Sequence, residues 1–322
     1  MPGVTFLQPD DILENKKNSK NLWLRIAGTI LSIGLLAWLI SQQDYSNLGE
    51  VFTRIPKASL WWMALLMIIS RVAVMGRWLT LISSGGARIS VKQSFEISLA
   101  GLFATNFLPT TIGGDFIRLV GAVRLGIDSA LATASLVMDR LVGMAGMVLA
   151  LPFSLPYLLQ SLPEQTSLLL PLPAFLDKWY GKLRQFIQSM WDVVKRWFKQ
   201  PRGLIAALFF TLIHTICFFT IQWLALDGMG ENLSFWTVAG LYVLVYFITL
   251  LPISINGYGL QELSVTLVYS QLAGASQEAS LTAALILRTL TILASLPGAI
   301  FLPSLLKPAA TPSSETESPY EA

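Results

Sequence analysis

The chain has 322 residues, 54% of them hydrophobic and 13% charged, with a mean hydropathy of +0.61. Soluble domains carry about 25% charged residues, so a soluble fold of this length lacks the core to hide so much apolar side chain, and lipid is the solvent that accommodates it. The net charge of +3 sits in loops between apolar runs, which excludes a nucleic-acid partner, and a single cysteine (Cys217) and histidine (His214) exclude an internal disulfide framework, a Cys/His metal site and most nucleophilic catalysts.

Residues 1–21 are polar and carry Lys16, Lys17 and Lys20. The first apolar run, 22–40, is too long for a signal-peptide core and lacks a small-x-small cleavage site, so it reads as a retained first span. A second span covers about 60–82, opens on Trp61-Trp62 and contains Arg71 and Arg77. A third covers about 94–112, ends in Leu108-Pro109, and is followed by what reads as a polar loop holding Gly113, Gly114, Asp115 and Arg118. A fourth covers about 130–152 and includes Asp139-Arg140.

The stretch 153–203 is rich in Lys and Arg. Within it Leu176, Trp179, Leu183, Phe186, Met190, Val193 and Trp197 recur at steps of three and four, as on one face of an interfacial helix or of a helix packed under the bundle. Spans five and six cover about 204–226 and 235–253, the latter ending in Leu251-Pro252. A short segment at about 258–273 carries Glu262, a last span at 281–304 carries Arg288, and the tail 307–322 reads as disordered. The expectation is therefore an all-α polytopic bundle of about eight segments across 22–306. The third and seventh are short enough to be re-entrant. The Lys/Arg bias places both termini and the loop 153–203 in the cytoplasm, in the plasma membrane, although Arg118 and Arg124 then fall outside.

One pattern recurs. Leu108-Pro109-Thr110-Thr111-Ile112-Gly113-Gly114 and Leu251-Pro252-Ile253-Ser254-Ile255-Asn256-Gly257 share L-P-x-x-I-[G/N]-G, and Gly126 and Gly274 each precede an arginine, Arg140 and Arg288, by 14 residues. Each copy is an apolar helix stopped by proline and followed by a glycine-bearing break. Broken backbone at membrane depth must be buried in protein or line a polar cavity. An odd number of expected spans separates the copies, which predicts inverted repeats of the kind used by alternating-access carriers.

Asn106-Phe107-Leu108-Pro109, Gly113-Gly114-Asp115, Arg118, Asp139-Arg140 and Gly143 resemble the signature of the flippase-like transmembrane region of lysylphosphatidylglycerol synthases. Arg77-Trp78 upstream and Pro252-x-Ser254-x-Asn256-Gly257-x-Gly259-x-x-Glu262 downstream fit it too, so the resemblance spans about 15–306. It implies a lipid-handling membrane protein, a flippase for an anionic phospholipid or a polyprenyl-phosphate-linked glycolipid. It also implies no aminoacyl transfer, which in the synthases belongs to a separate soluble domain.

Charges inside spans cost roughly 2.5–3.5 kcal/mol each on insertion scales, so they are expected to face the interior. Arg71, Arg77, Asn106, Gly113, Gly114, Asp115, Arg118, Asp139, Arg140, Asn256, Gly257, Glu262 and Arg288 are the expected substrate-binding residues, with arginine forks holding a phosphate-bearing lipid headgroup. Arg71, Arg140 and Arg288 are expected to share one cavity. Mutual pairing, Asp139 with Arg71 or Glu262 with Arg288, is the competing role. No cofactor, metal or catalytic residue is expected. Competing functions are a membrane-embedded enzyme using Asp115, Asp139 or Glu262 as acid or base, and a non-transporting scaffold that sequesters lipid or positions a glycosyltransferase. The expected partners are a membrane lipid and either a second copy of the chain or a glycosyltransferase.

Overall fold

A computed structural model of the chain describes residues 53–107, 113–157, 201–250 and 255–306, with single positions at 34, 195 and 197. The expected first span at 22–40, the tail 307–322, most of the basic stretch 153–203, and Pro109 and Pro252 at the heart of the repeated motif lie outside the described residues. Every described element is helical: α1 (Lys57–Ser84), α2 (Val91–Phe107), α3 (Gly113–Arg124), α4 (Ser129–Ala150), α5 (Pro201–Gly228), α6 (Phe235–Thr249), α7 (Leu260–Ala273), α8 (Gln277–Ser295) and α9 (Gly298–Leu306). Among them α1, α4 with the 3-10 turn that extends it to Phe153, α5 and α8 are long and apolar enough to cross a bilayer.

Helix starts follow local chemistry. Asp128, Ser234 and Ser276 each present a side-chain oxygen to a backbone N–H in the first turn of α4, α6 and α8, at 2.9, 3.1 and 3.3 Å. Such N-caps satisfy donors that a helix start leaves free. The wide apolar faces of α1, with Trp61, Trp62, Ile68 and Val72 exposed, suit lipid contact, and the paired tryptophans at its start suit an interfacial anchor.

Between the long helices sit two hairpins of short ones. At 1.5 Å per residue, α2, α3, α6 and α7 are each shorter than the ~30 Å hydrocarbon core. In the first hairpin α2 and α3 run antiparallel: a Cβ on Gly114 would overlap Thr105 and the Gly101 carbonyl, one on Gly101 would meet Arg118, and one on Gly121 would meet Ile97. In the second, the Tyr269 hydroxyl on α7 donates to the Val238 carbonyl on α6 at 2.9 Å. The main core lies where α1, α5, α6, α7 and α8 meet, around Met63, Met67, Ile221, Leu241, Val265 and Leu287.

Two sequence expectations are corrected. The expected polar loop at Gly113, Gly114, Asp115 and Arg118 is helix α3, whose buried Gly113 and Gly114 let it lie flat against α2. The expected last span at 281–304 is two helices, α8 and α9, because Pro297 has no N–H to continue the ladder and its ring crowds the preceding turn. Of the amphipathic face expected in the basic stretch, Trp197 is described: it is buried, and its indole N–H donates to the Leu81 carbonyl at the end of α1 at 2.9 Å.

Candidate functional site: paired arginine clusters around three cavities

Each hairpin carries a carboxylate in the first turn of its second helix, Asp115 in α3 and Glu262 in α7. A helix start favours negative charge, and here the chain supplies it. The next helix in each case supplies an arginine. Arg140 on α4 donates through Nε to Asp115 Oδ2 at 2.6 Å, and Arg288 on α8 donates through Nε to Glu262 Oε1 at 2.5 Å. The partners are 25 residues apart in the first pair and 26 in the second. The repeat read from glycine spacing is thus matched by a repeated ion pair.

The first cluster is larger. Asp139 is buried on α4 and accepts from Arg77 Nε at 2.6 Å and from Arg118 Nη1 at 3.0 Å. Arg118 also approaches Asp115 at 3.4 Å and lies over the Trp78 ring. In the second cluster Arg288 is held by more than Glu262. Nη2 donates to Gln261 Oε1 at 3.0 Å and to the Gly257 carbonyl at 3.2 Å, Nη1 reaches the Asn256 carbonyl at 3.4 Å, and the guanidinium lies over Tyr258. Those carbonyls point inward because Asn256 and Gly257 both have positive φ, 51° and 70°.

The flanks of the two breaks touch. Asn256 Nδ2 donates to Asn106 Oδ1 at 3.2 Å, and the Tyr258 hydroxyl donates to the Asn106 carbonyl at 3.0 Å.

Arg71 differs from the other four arginines of the site. Among the described residues it meets no carboxylate: its Nε faces Met67 Sδ at 3.3 Å, its guanidinium lies 5.1 Å from the Phe218 ring centroid, and its Nη2 is buried without a partner. The expected pairing of Asp139 with Arg71 is replaced by Arg77 and Arg118, whereas that of Glu262 with Arg288 is present.

Three cavities meet at Arg71. A cavity of about 90 Å³ lies between α1, α2 and α3 and includes Thr105, Asp115 and Arg118. One of about 230 Å³ includes Asn106, His214, Tyr242, Gln261 and Arg288. A larger groove of about 550 Å³ runs between α1, α2, α8 and α9. A fourth cavity of about 200 Å³ holds Arg77, Asp139 and Arg140 and has His214 in its wall. Arg140 is therefore in a different cavity from Arg71 and Arg288, which corrects the expectation of one shared chamber. His214 bonds between helices: its Nδ1 lies 2.7 Å from Ser70 Oγ across α1 and α5. Its place between two polar cavities had no signal in an isolated histidine within an apolar run. Gln261 and Tyr258 were also missed, although both lie inside the second motif's string.

Electrostatically the site favours an anion. Among the described residues five arginines (71, 77, 118, 140 and 288) face three carboxylates (115, 139 and 262), leaving two positive charges without a carboxylate. Within the two clusters, the buried atoms without partners among the described residues lean the same way: Arg71 Nη2, Arg118 Nε and Nη2, and Asn106 Nδ2 are donors and Glu262 Oε2 an acceptor, while the cavity-lining Ser98 and Thr215 hydroxyls can act as either. Among the described residues no group of His, Cys, Asp and Glu is placed to hold a metal ion.

No curated protein matches the chain by sequence. The family model for the lysylphosphatidylglycerol synthase TM region matches it in two stretches, residues 25–176 and 167–298, which together contain every element of both clusters. With four apolar helices of membrane-crossing length and ionised residues turned inward, the chain is an integral membrane protein, and it belongs to the lysylphosphatidylglycerol synthase transmembrane-region family.

Proposed function

We propose that this protein translocates an anionic, phosphate-bearing lipid between leaflets and makes no covalent bond in doing so. The observation that carries the reading is the surplus of buried donors and positive charge around cavities that share Arg71 as a lining residue. Unpaired N–H groups in a low-dielectric interior are costly, and a phosphate oxygen satisfies them with charge-assisted bonds. The matched pairs Asp115–Arg140 and Glu262–Arg288 supply two similar hairpins that exchange exposure to the two leaflets in the manner of inverted-repeat carriers. In this reading a lipid phosphate competes with a carboxylate for its arginine as the headgroup passes. The termini lie in the cytoplasm and the membrane is the plasma membrane. A partner glycosyltransferase or a second copy of the chain fits a polyprenyl-phosphate cargo, and no cofactor or nucleic acid takes part.

The test is reconstitution into vesicles with a fluorescent phosphatidylglycerol and a membrane-impermeant quencher. Wild-type protein is expected to expose inner-leaflet probe, and Arg288→Ala to suppress that exposure. Quenching no deeper than in protein-free vesicles, with correctly inserted protein, sinks the proposal.

A further inference from the structure

The groove between α1, α2, α8 and α9 is the largest of the four cavities described, and it is apolar along its length except where Arg71 reaches its inner side. Its outer wall includes Ile68, Val72, Leu293 and Ile300, all exposed on the surface that the apolar helices present to lipid. Its volume, about 550 Å³, lies within the ~300–1,000 Å³ range of ligand sites. The same Arg71 lines the two polar cavities that hold Arg118 and Arg288. One side chain therefore stands where an apolar slot open to the bilayer meets the charged interior.

Two features of Arg71 point to a ligand. It is the interior arginine that no carboxylate neutralises among the described residues, and its Nη2 is buried without a hydrogen-bond partner. A thioether sulfur and a ring face are weak substitutes for an anion. Holding a guanidinium at this depth is costly unless an anion joins it, and the slot beside it admits only something apolar. A phospholipid has both parts in the required order, an acyl chain adjoining a phosphate.

We propose that the groove is a lateral portal, in which a phospholipid seats one acyl chain against α1, α8 and α9 and presents its phosphate to Arg71 before the headgroup passes to the polar cavities. The portal rests on the translocator reading for its purpose. The seat itself rests on the groove and on the unneutralised arginine. The break between α8 and α9 at Leu296-Pro297 shapes it: Pro297 lines the groove, and the turn sets Ile300 and Phe301 on α9 as its far wall.

The experiment uses the full chain in nanodiscs with two photoreactive probes that carry the same diazirine-labelled acyl chain, phosphatidylglycerol and diacylglycerol, with sites read by peptide mass spectrometry. Phosphatidylglycerol is expected to label the segments around Val72 and Leu293 about tenfold more than diacylglycerol, the size of one charge-assisted contact. Arg71→Gln is expected to remove that preference and leave diacylglycerol labelling unchanged. Val72→Trp, which fills the slot, is expected to suppress labelling and slow translocation, whereas Ile205→Trp on the lipid-facing side of α5 changes neither. Equal labelling by the two probes in the wild type overturns the phosphate seat, and so does a groove that cross-links to residues 22–40 of the same chain, since the first apolar run is then its occupant. Unchanged translocation in Val72→Trp overturns the portal while leaving the translocator standing. If the wild type moves no lipid but the labelling pattern holds, the seat stands and the translocator reading fails.

Discussion

The two hairpins answer one problem, an ionised pair beside broken backbone, in different ways. Around α2, α3 and α4 the helices flanking the break are held by close packing. Gly101 and Gly114 bring two helices together, and the pair Asp115–Arg140 sits at a mouth where the Arg140 side chain is 56% exposed. Around α6, α7 and α8 the break is closed by backbone polarity. Positive φ at Asn256 and Gly257 turns carbonyls onto Arg288, and the pair is sealed, with the Glu262 side chain 3% exposed. A repeated sequence motif thus preserves the ion pair but not the device that supports it. The glycine after each Leu-Pro has a steric role in one copy and a conformational role in the other.

The sharpest way to break the comparison is at the sealed pair. Arg288→Ala leaves Glu262 as an unpaired buried charge and is expected to cost about 3–5 kcal/mol, read as a large fall in thermal unfolding temperature in detergent. Glu262→Gln, which keeps a hydrogen-bonding group beside Arg288, is expected to cost less. Equal losses in the two variants would mean that the carbonyls of Asn256 and Gly257 hold the arginine unaided.

The glycines come next. Gly114→Ala places a methyl group against the Gly101 carbonyl and Thr105 and is expected to cost about 1–3 kcal/mol by overpacking. Gly257→Ala meets no atom nearer than 3.9 Å, so its cost is the left-handed backbone alone, about 1–2 kcal/mol. Thr105→Ala should recover part of the loss in Gly114→Ala and none of that in Gly257→Ala, which a double-mutant thermal series measures.

The smallest stability change belongs to the open pair. Arg140→Lys is expected to shift stability by no more than about 1 kcal/mol, because exposed ion pairs contribute little. Translocation is nevertheless expected to fall, since Arg140 engages Asp115 through both Nε and Nη2 and a lysine ammonium cannot reproduce that fork. Wild-type transport by Arg140→Lys would make the mouth pair a structural contact only.

Composition and pattern were enough to specify a helical membrane protein, the inward placement of its charges and the existence of a repeat. Those properties are local or cumulative: hydropathy is summed residue by residue, and a charge in an apolar run must face away from lipid wherever it stands. Arg77, Asp139, Glu262 and Arg288 could be named on that ground alone, whereas Arg118, read as part of a polar loop, rested on the family resemblance. The pair Glu262–Arg288 was legible too, but the partners of Asp139 were not, because Arg77 and Asp139 are 62 residues apart and come together only when α1 packs beside α4. Gly113-Gly114 looked like a loop, since glycine pairs most often mark turns, until α2 was there to lie against. The last span looked continuous, since hydropathy runs through Pro297 without a change. That Arg71 meets no carboxylate among the described residues while standing between a lipid-facing groove and two charged cavities is a fact about neighbours. Only the packing of α1 against α2, α5 and α8 decides it, because it determines which side chains come within bonding distance.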